Sequence, residues 1–122
     1  MPELSTGDSS AGRSPAGHSS AEELSAEDAK LVILAKAARA RVGAAEGAAV
    51  RDQDGRTYAA APVNLPSLRL TALQVAVASA VSAGASTLEA AAVVSTVDRY
   101  DELSVQAVKD LGPEAPVHHA AP

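Results

Sequence analysis

The chain of 122 residues contains no cysteine, no phenylalanine and no tryptophan. Without cysteine it forms no disulfide, and zinc sites built from thiolates are excluded. With two tyrosines as the only aromatic side chains and no basic face, a nucleic-acid partner has little support. No apolar run approaches the roughly 18 residues of a membrane span, and the start of the chain lacks the pattern of a secretory signal. We therefore expect a cytoplasmic protein with no membrane partner.

Alanine supplies much of the hydrophobic fraction of 47%. Each buried alanine contributes little, because stabilisation scales with buried apolar area at roughly 25 cal/mol per Å². Leucine, isoleucine and valine must carry the packing of a domain that is small to begin with. We expect either a tight alanine-lined core or a core that a partner subunit completes.

The net charge of −5 is concentrated at the N-terminus, because residues 1–28 contain six acidic side chains and only one basic side chain, Arg13. Residues 1–24 are also rich in serine, glycine and alanine, a composition that cannot offset the entropy of ordering. They predict a disordered tail, either dispensable or acting as a tether or phosphorylation target. We expect one domain over residues 25–118 and a flexible tail over residues 119–122.

Local signals predict the first half of that domain. Ser25 suits the N-cap of a helix with acidic residues in its first turn, and Gly43 suits its stop. Asp54-Gly55 is a strong turn signal between two short strands, residues 47–52 and 56–61. Pro62 then breaks the pairing.

The second half alternates helix and strand. A second helix is predicted to start at Asn64 or Ser67 and to run to about Ala83, buried on more than one side because it carries almost no charge. Residues 88–94 read as a buried central strand. A third helix is predicted over residues 100–111, and residues 115–118 as a short last strand. The order predicts an α/β layered domain with a mixed sheet.

Three segments resemble the cytidine deaminase family. Residues 47–58 (GAAVRDQDGRTY) are similar to its first hairpin. Residues 71–73 (TAL), followed by residues 76–78 (AVA), stand where the family has its first active-site helix. Residues 89–94 (EAAAVV) are similar to the next strand. The resemblance covers roughly residues 26–118 and implies a cytidine deaminase-like three-layer α-β-α sandwich with a small mixed sheet, truncated at the C-terminus.

In that family, one helix begins with Cys or His, then Ala and Glu, and a second begins Pro-Cys-x-x-Cys. The cysteine or histidine side chains bind zinc, and the glutamate moves protons. Here the resemblance puts the first ligand position at Ser67 and the glutamate position at Arg69. It puts the other two ligand positions at Asp101 and Ser104, and it leaves Asn64 as a possible remnant of the segment that contacts the ribose.

These replacements do not suit the family's chemistry. Serine hydroxyls stay protonated near neutral pH and bind zinc poorly, and arginine cannot act as a proton shuttle. No catalytic residue and no cofactor are therefore predicted, although the family implies zinc. We hypothesise that an ion pair between Arg69 and Asp101 replaces the metal and ties the two helix starts together.

Other candidate sites are weak. His118 and His119 are adjacent in a proline-rich tail, and neighbours on an extended chain point to opposite sides, so they chelate poorly. The charged residues 98–102 are typical of a solvated loop and helix start. The alternative is that they form an acidic rim of the pocket that is the active site in the family. With no histidine predicted in the folded body and no glycine-rich phosphate loop, a Ser-His-Asp site and a nucleotide loop are not predicted.

The function predicted is a non-catalytic, cytidine deaminase-like module for binding or assembly, with a homo-oligomer or another protein as partner. The first alternative is a cytidine deaminase-type hydrolase with an atypical site. The second alternative is a nucleoside-binding sensor without chemistry.

Overall fold

The computed structural model describes residues 24–97 and 101–122, so most of the predicted N-terminal tail, residues 1–23, lies outside the described part. Nine helices and strands follow one another within the described residues: α1 (Ala26–Val42), β1 (Glu46–Asp52), β2 (Thr57–Ala60), β3 (Val63–Leu65), β4 (Leu68–Leu70), α2 (Ala72–Ser82), β5 (Leu88–Ser95), α3 (Glu102–Leu111) and β6 (Val117–Ala120).

Four strands form one mixed sheet in the order β2-β1-β5-β6, while β3 and β4 form a separate two-stranded ribbon. Strand β1 is antiparallel to β2 and β5, and β5 is parallel to β6. One core cluster joins α1 to one face of the sheet, and the other joins α2 and α3 to the opposite face. The predicted three-layer α-β-α sandwich is confirmed.

Alanine lines both faces of the sheet. Along β1, Ala48 and Val50 face α2, whereas Ala49 faces α1, as the two-residue period of a strand requires. Small side chains let the helices lie close to the sheet. A Cβ added at Gly47 would meet the carbonyl oxygen of Ala35 and would lie 2.8 Å from the backbone nitrogen of Arg39. The predicted tight alanine-lined core is present in the single chain.

The first helix and the hairpin form where local signals predict them. Ser25 caps α1 by accepting from the backbone N–H of Asp28, and Gly43 ends it with a φ of 64°. The turn between β1 and β2 contains Gly55, with a φ of 84°. The buried carboxylate of Asp52 holds this turn, because it accepts from the backbone N–H groups of Asp54 and Arg56.

The predicted start of the second helix is wrong. Helix α2 begins at Ala72, because Thr71 and Gln74 form a capping box: the Thr71 hydroxyl accepts from the Gln74 N–H, and the Gln74 side chain accepts from the Thr71 N–H. The preceding residues form the β3–β4 ribbon instead. Alternating apolar and polar residues, Val-Asn-Leu and Leu-Arg-Leu, flank its Pro66-Ser67 turn, a pattern that favours strands.

The prediction that α2 is buried on more than one side is also wrong for the single chain. Its buried residues lie on one face, among them Leu73 and Val77, whereas Ala78, Val81 and Ser82 are exposed. The helix lacks charge on its exposed side as well as on its buried side.

The ends of the domain differ from the prediction. Leu24 packs against the core beneath α1, so it belongs to the domain and not to a tail. Strand β6 pairs with β5 through Ala120, which places His119 and Ala120, predicted as flexible tail, in the sheet together with His118. At α3, Asp101 is the N-cap and the helix begins at Glu102, while residues 98–100 lie outside the described part.

Candidate functional site

The N-termini of α2 and α3 meet over one end of the sheet, and their capping side chains touch. Thr71 Oγ1 lies 2.6 Å from Ser104 Oγ, and Ser104 Oγ lies 2.7 Å from Asp101 Oδ2. Asp101 Oδ2 also accepts from the backbone N–H of Ser104 at 2.9 Å. Thr71, Asp101 and Ser104 form what we call the polar cluster.

Hydrogen bonding in the polar cluster has a fixed direction. A carboxylate accepts hydrogen bonds and donates none, so Ser104 donates to Asp101. The single hydroxyl proton of Ser104 is then committed, and Thr71 donates to Ser104. Ser104 is only 3% exposed, so its hydroxyl needs these partners. The cluster is a chain of hydrogen bonds that links two helix starts.

Glu46, the first residue of β1, adds a second carboxylate that the sequence did not predict. Its Oε2 accepts from the backbone N–H of Ala72 at 2.9 Å, at the N-terminus of α2. The positive end of a helix dipole favours an anion at this position. No local signal identifies this contact, because the two residues are 26 positions apart in the chain.

A cavity of about 30 Å³ lies against the polar cluster. Glu46, Leu73 and Ser95 line it together with the cluster residues. Its volume admits water, but it is far below the about 300 Å³ at which small-molecule sites begin. The side chain from α2 that faces this cavity is the apolar one of Leu73.

A second and larger space, which we call the hairpin cleft, opens between the β3–β4 ribbon and the start of α2. Its volume is about 330 Å³. Glu46 and Thr71 line both this cleft and the small cavity, so the two spaces adjoin. The cleft is lined by Glu46, Pro62, Val63, Asn64, Arg69, Leu70, Thr71 and Gln74.

The predicted site residues fall into two groups. Asp101 and Ser104 lie in the polar cluster, at the start of α3. Ser67 lies exposed at the turn of the ribbon, and Arg69 lies on β4 opposite Asn64, so neither is part of a helix. Asn64 lines the hairpin cleft.

The hypothesis of an Arg69–Asp101 ion pair is wrong. The ion pairs among the described residues do not include it. Asp101 Oδ2 accepts from Ser104, and Arg69 faces the hairpin cleft instead. The physical reason is the ribbon, because Arg69 lies on β4 and lines the hairpin cleft, whereas Asp101 caps α3.

The residues of the polar cluster do not fit a zinc ion. Zinc in proteins takes thiolate, imidazole and carboxylate ligands, whereas this cluster offers two hydroxyls and one carboxylate. Within residues 24–97 and 101–122 there is no group of three or more histidine, cysteine, aspartate or glutamate side chains that could hold a metal.

A second, partly buried polar network lies on the α1 face of the sheet. His118 Nε2 is 2.8 Å from Asp28 Oδ2, and Arg51 reaches Asp28 at 2.9 Å and Glu89 at 3.0 Å. Burial acts to lower the pKa of Arg51, but its hydrogen bonds to Glu89 and Asp28 outweigh that effect and raise the pKa. A histidine therefore lies in the folded body, contrary to prediction, where it ties β6 to α1.

Comparisons with known proteins agree with this fold. A family model described as cytidine deaminase-like matches residues 24–122, so the chain belongs to the cytidine deaminase-like family. The chain is similar to the solved cytidine deaminase from Burkholderia pseudomallei, with a TM-score of 0.64 and 26% identity over 75% of this chain and 84% of that one.

It is also similar to a mutant cytidine deaminase from Mycobacterium tuberculosis, with a TM-score of 0.52 and 28% identity over 61% of this chain and 66% of that one. No curated protein matches the chain. Among the described residues, no helix has the length and apolar character needed to cross a membrane.

Proposed function

We propose that this chain is a non-catalytic member of the cytidine deaminase-like family that acts as a binding or assembly module. The observation that carries the proposal is the polar cluster. It occupies the meeting point of two helix N-termini, and two helix starts carry the zinc ligands in the family that the chain resembles. Its hydroxyl and carboxylate groups satisfy one another.

Thr71 is the N-cap of α2, and Ala72 and Leu73 are its first two residues, so we assign the first ligand position to Thr71 and the glutamate position to Leu73. Asp101 and Ser104 keep the other two ligand positions. A threonine hydroxyl stays protonated at neutral pH, and leucine has no proton to transfer. Both changes support a protein without deaminase chemistry.

Restoring the thiolates tests this assignment. The triple variant Thr71→Cys, Asp101→Cys, Ser104→Cys is expected to bind Co²⁺ with thiolate charge-transfer absorption, while the wild-type protein is not. The matched control combines Ser67→Cys with the same two changes in α3. If the control binds Co²⁺ as tightly as the Thr71 variant, the assignment of Thr71 is wrong.

Zinc analysis and a cytidine deamination assay of the wild-type protein test the absence of catalysis. We expect neither a stoichiometric zinc ion nor turnover. One zinc per chain, with turnover that is lost in Asp101→Ala, would overturn the proposal.

One observation favours a hydrolase with an atypical site as a second candidate. Glu46, on β1, places a carboxylate beside the small cavity, whereas α2 contributes no carboxylate to that cavity. If this candidate is correct, wild-type protein deaminates cytidine and Glu46→Gln abolishes the activity. The glutamine retains an oxygen that accepts from the Ala72 N–H, so loss of activity would report on proton transfer and not on folding.

For assembly, the partner we propose is a second copy of this chain. The exposed face of α2 carries no charge, and the neighbouring ribbon exposes Leu65 and Leu68 at its tip. Apolar surface of this kind is typical of subunit interfaces.

A further inference from the structure

The hairpin cleft contains one side chain of each charge sign. Glu46 and Arg69 both line it, and the ion pairs among the described residues include none between them. Two unlike charges that share a cleft without neutralising each other leave room for a ligand that contacts both.

Glu46 is held in position with one oxygen available. Its Oε2 accepts from the Ala72 N–H, and within the described residues its Oε1 makes no hydrogen bond. The carboxylate is therefore oriented before any ligand arrives, which reduces the entropy lost on binding. An ammonium group is the natural partner of the second oxygen, because a charge-assisted hydrogen bond is stronger than a neutral one.

Arg69 and Asn64 stand directly opposite each other in the antiparallel ribbon, so their side chains lie on the same face. Both line the cleft. A guanidinium group matches a carboxylate with two parallel hydrogen bonds, and the amide of Asn64 adds a neutral donor beside it. This side of the cleft suits the anionic end of a ligand.

The volume of the cleft and its two opposite charges restrict the class of ligand further. Its volume of about 330 Å³ is at the lower end of small-molecule sites, and Pro62, Val63 and Leu70 give it apolar walls. A ligand with a single charge would desolvate the second charged side chain without compensating it. We infer that the hairpin cleft binds a small zwitterion that carries both an ammonium and a carboxylate group, such as an amino acid. This deepens the proposed function, on which it rests, by naming a ligand class for a module without catalysis.

A series of ω-amino acids tests the inference by calorimetry, from glycine through β-alanine and γ-aminobutyrate to ε-aminocaproate. The spacing of the two charges increases along the series. We expect one member to bind about tenfold or more tightly than the monocarboxylate and the monoamine of equal chain length, a difference of about 1.4 kcal/mol. Equal binding of the singly charged compounds, or no binding of any zwitterion, would overturn the inference.

Charge-removing variants show whether the two named side chains cause the preference. Arg69→Gln is expected to remove the advantage of the zwitterion over the monoamine, and Glu46→Gln its advantage over the monocarboxylate. The matched control is Arg41→Gln, because Arg41 is an exposed arginine on α1 that does not line the cleft. A preference that persists in both cleft variants, or that is lost in the control, contradicts the assignment.

Cytidine binding, zinc content and deamination turnover separate failure of this inference from failure of the proposed function. Cytidine is neutral. If it binds more tightly than every zwitterion, the inference is overturned and the cleft is a nucleoside site. Absence of zwitterion binding in protein that is free of zinc and turnover would overturn the inference and leave the proposed function standing. Turnover by the wild-type protein would overturn the proposed function, whatever the zwitterions do.

Discussion

At the scale of single residues, Gly47 sets how closely α1 approaches β1. An added Cβ would meet backbone atoms of Ala35 and Arg39, which cannot move unless the helix moves. The glycine is therefore required by packing, whereas Gly43 is favoured by its backbone angle, with nothing within 4 Å of an added Cβ.

Gly47→Ala is expected to lower the free energy of unfolding by about 3 kcal/mol, the upper part of the usual range for overpacking. Gly43→Ala serves as the control and is expected to cost about 1 kcal/mol, from its left-handed backbone alone. Urea denaturation of the two variants measures the difference. Equal losses would show that the helix yields and that the close approach is not fixed.

Asp52 links the stability of the hairpin to pH. Burial acts to raise the pKa of this carboxyl, but hydrogen bonds from the Tyr58 hydroxyl and from the N–H groups of Asp54 and Arg56 outweigh burial and lower the pKa below its ordinary value of 3.8. Because the folded-state pKa is the lower one, the stabilisation is present above the ordinary value. It is lost as the pH falls through the folded-state pKa.

Asp52→Asn is therefore expected to be less stable than the wild type near neutral pH, and the difference is expected to shrink as the pH falls below about 4. Urea denaturation at several pH values measures it. Tyr58→Phe, which removes one of the three hydrogen bonds, is expected to show the same trend with a smaller amplitude. A difference that is constant with pH would exclude Asp52 as the titrating group.

At the scale of the elements, Thr71 joins two helices through a single hydroxyl. This group caps α2 by accepting from the Gln74 N–H and also donates to Ser104 at the start of α3. The start of each helix therefore depends on the other.

Thr71→Val keeps the shape of the side chain and removes the hydroxyl, and we expect it to lower the free energy of unfolding by about 2 kcal/mol, more than loss of an average cap. Thr71→Ser keeps the hydroxyl and is expected to retain most of the stability. Equal losses in the two variants would mean that the methyl group matters and that the hydrogen-bonded link does not.

Elements with strong local signals were predictable from the sequence. Ser25 and Gly43 bound α1, and Asp54-Gly55 predicts the hairpin, because each signal satisfies backbone groups within a few residues. The start of α2 was not predicted, because Asn64, Ser67 and Thr71 are all plausible N-caps. Only the capping box with Gln74 and the alternation in the ribbon favour Thr71.

The site was predictable only in part, for a related reason. Asp101 and Ser104 were named because the resemblance to the family puts two ligand positions there, at the start of a helix. Glu46 enters the site by a contact across 26 positions, and Thr71 by a contact with Ser104 across 33 positions. Contacts of this kind depend on the sheet register and on helix packing, which single-sequence patterns do not report.

At the scale of the whole molecule, α1 and α2 lie on opposite faces of the sheet and differ in the charge of their exposed sides. Helix α1 exposes Lys30, Lys36 and Arg41 around the exposed Ile33, so its outer surface is well solvated. Helix α2 exposes alanine, serine and Val81 without any charged side chain. The uncharged exposed face of α2 favours association there, because that face has no charge to be desolvated.

We expect the wild-type protein to be a dimer or larger oligomer at micromolar concentration in sedimentation experiments. Val81, which is 52% exposed on α2, is expected to lie in the interface, so Val81→Asp should shift the protein towards the monomer by burying an unpaired charge. Ile33→Asp is the matched control, since Ile33 is 63% exposed on the opposite layer and its change should leave the oligomer intact. A monomeric wild type would contradict self-association. An oligomer sensitive to Ile33→Asp and insensitive to Val81→Asp would move the interface to the α1 layer, since a buried aspartate destabilises only the contact that encloses it.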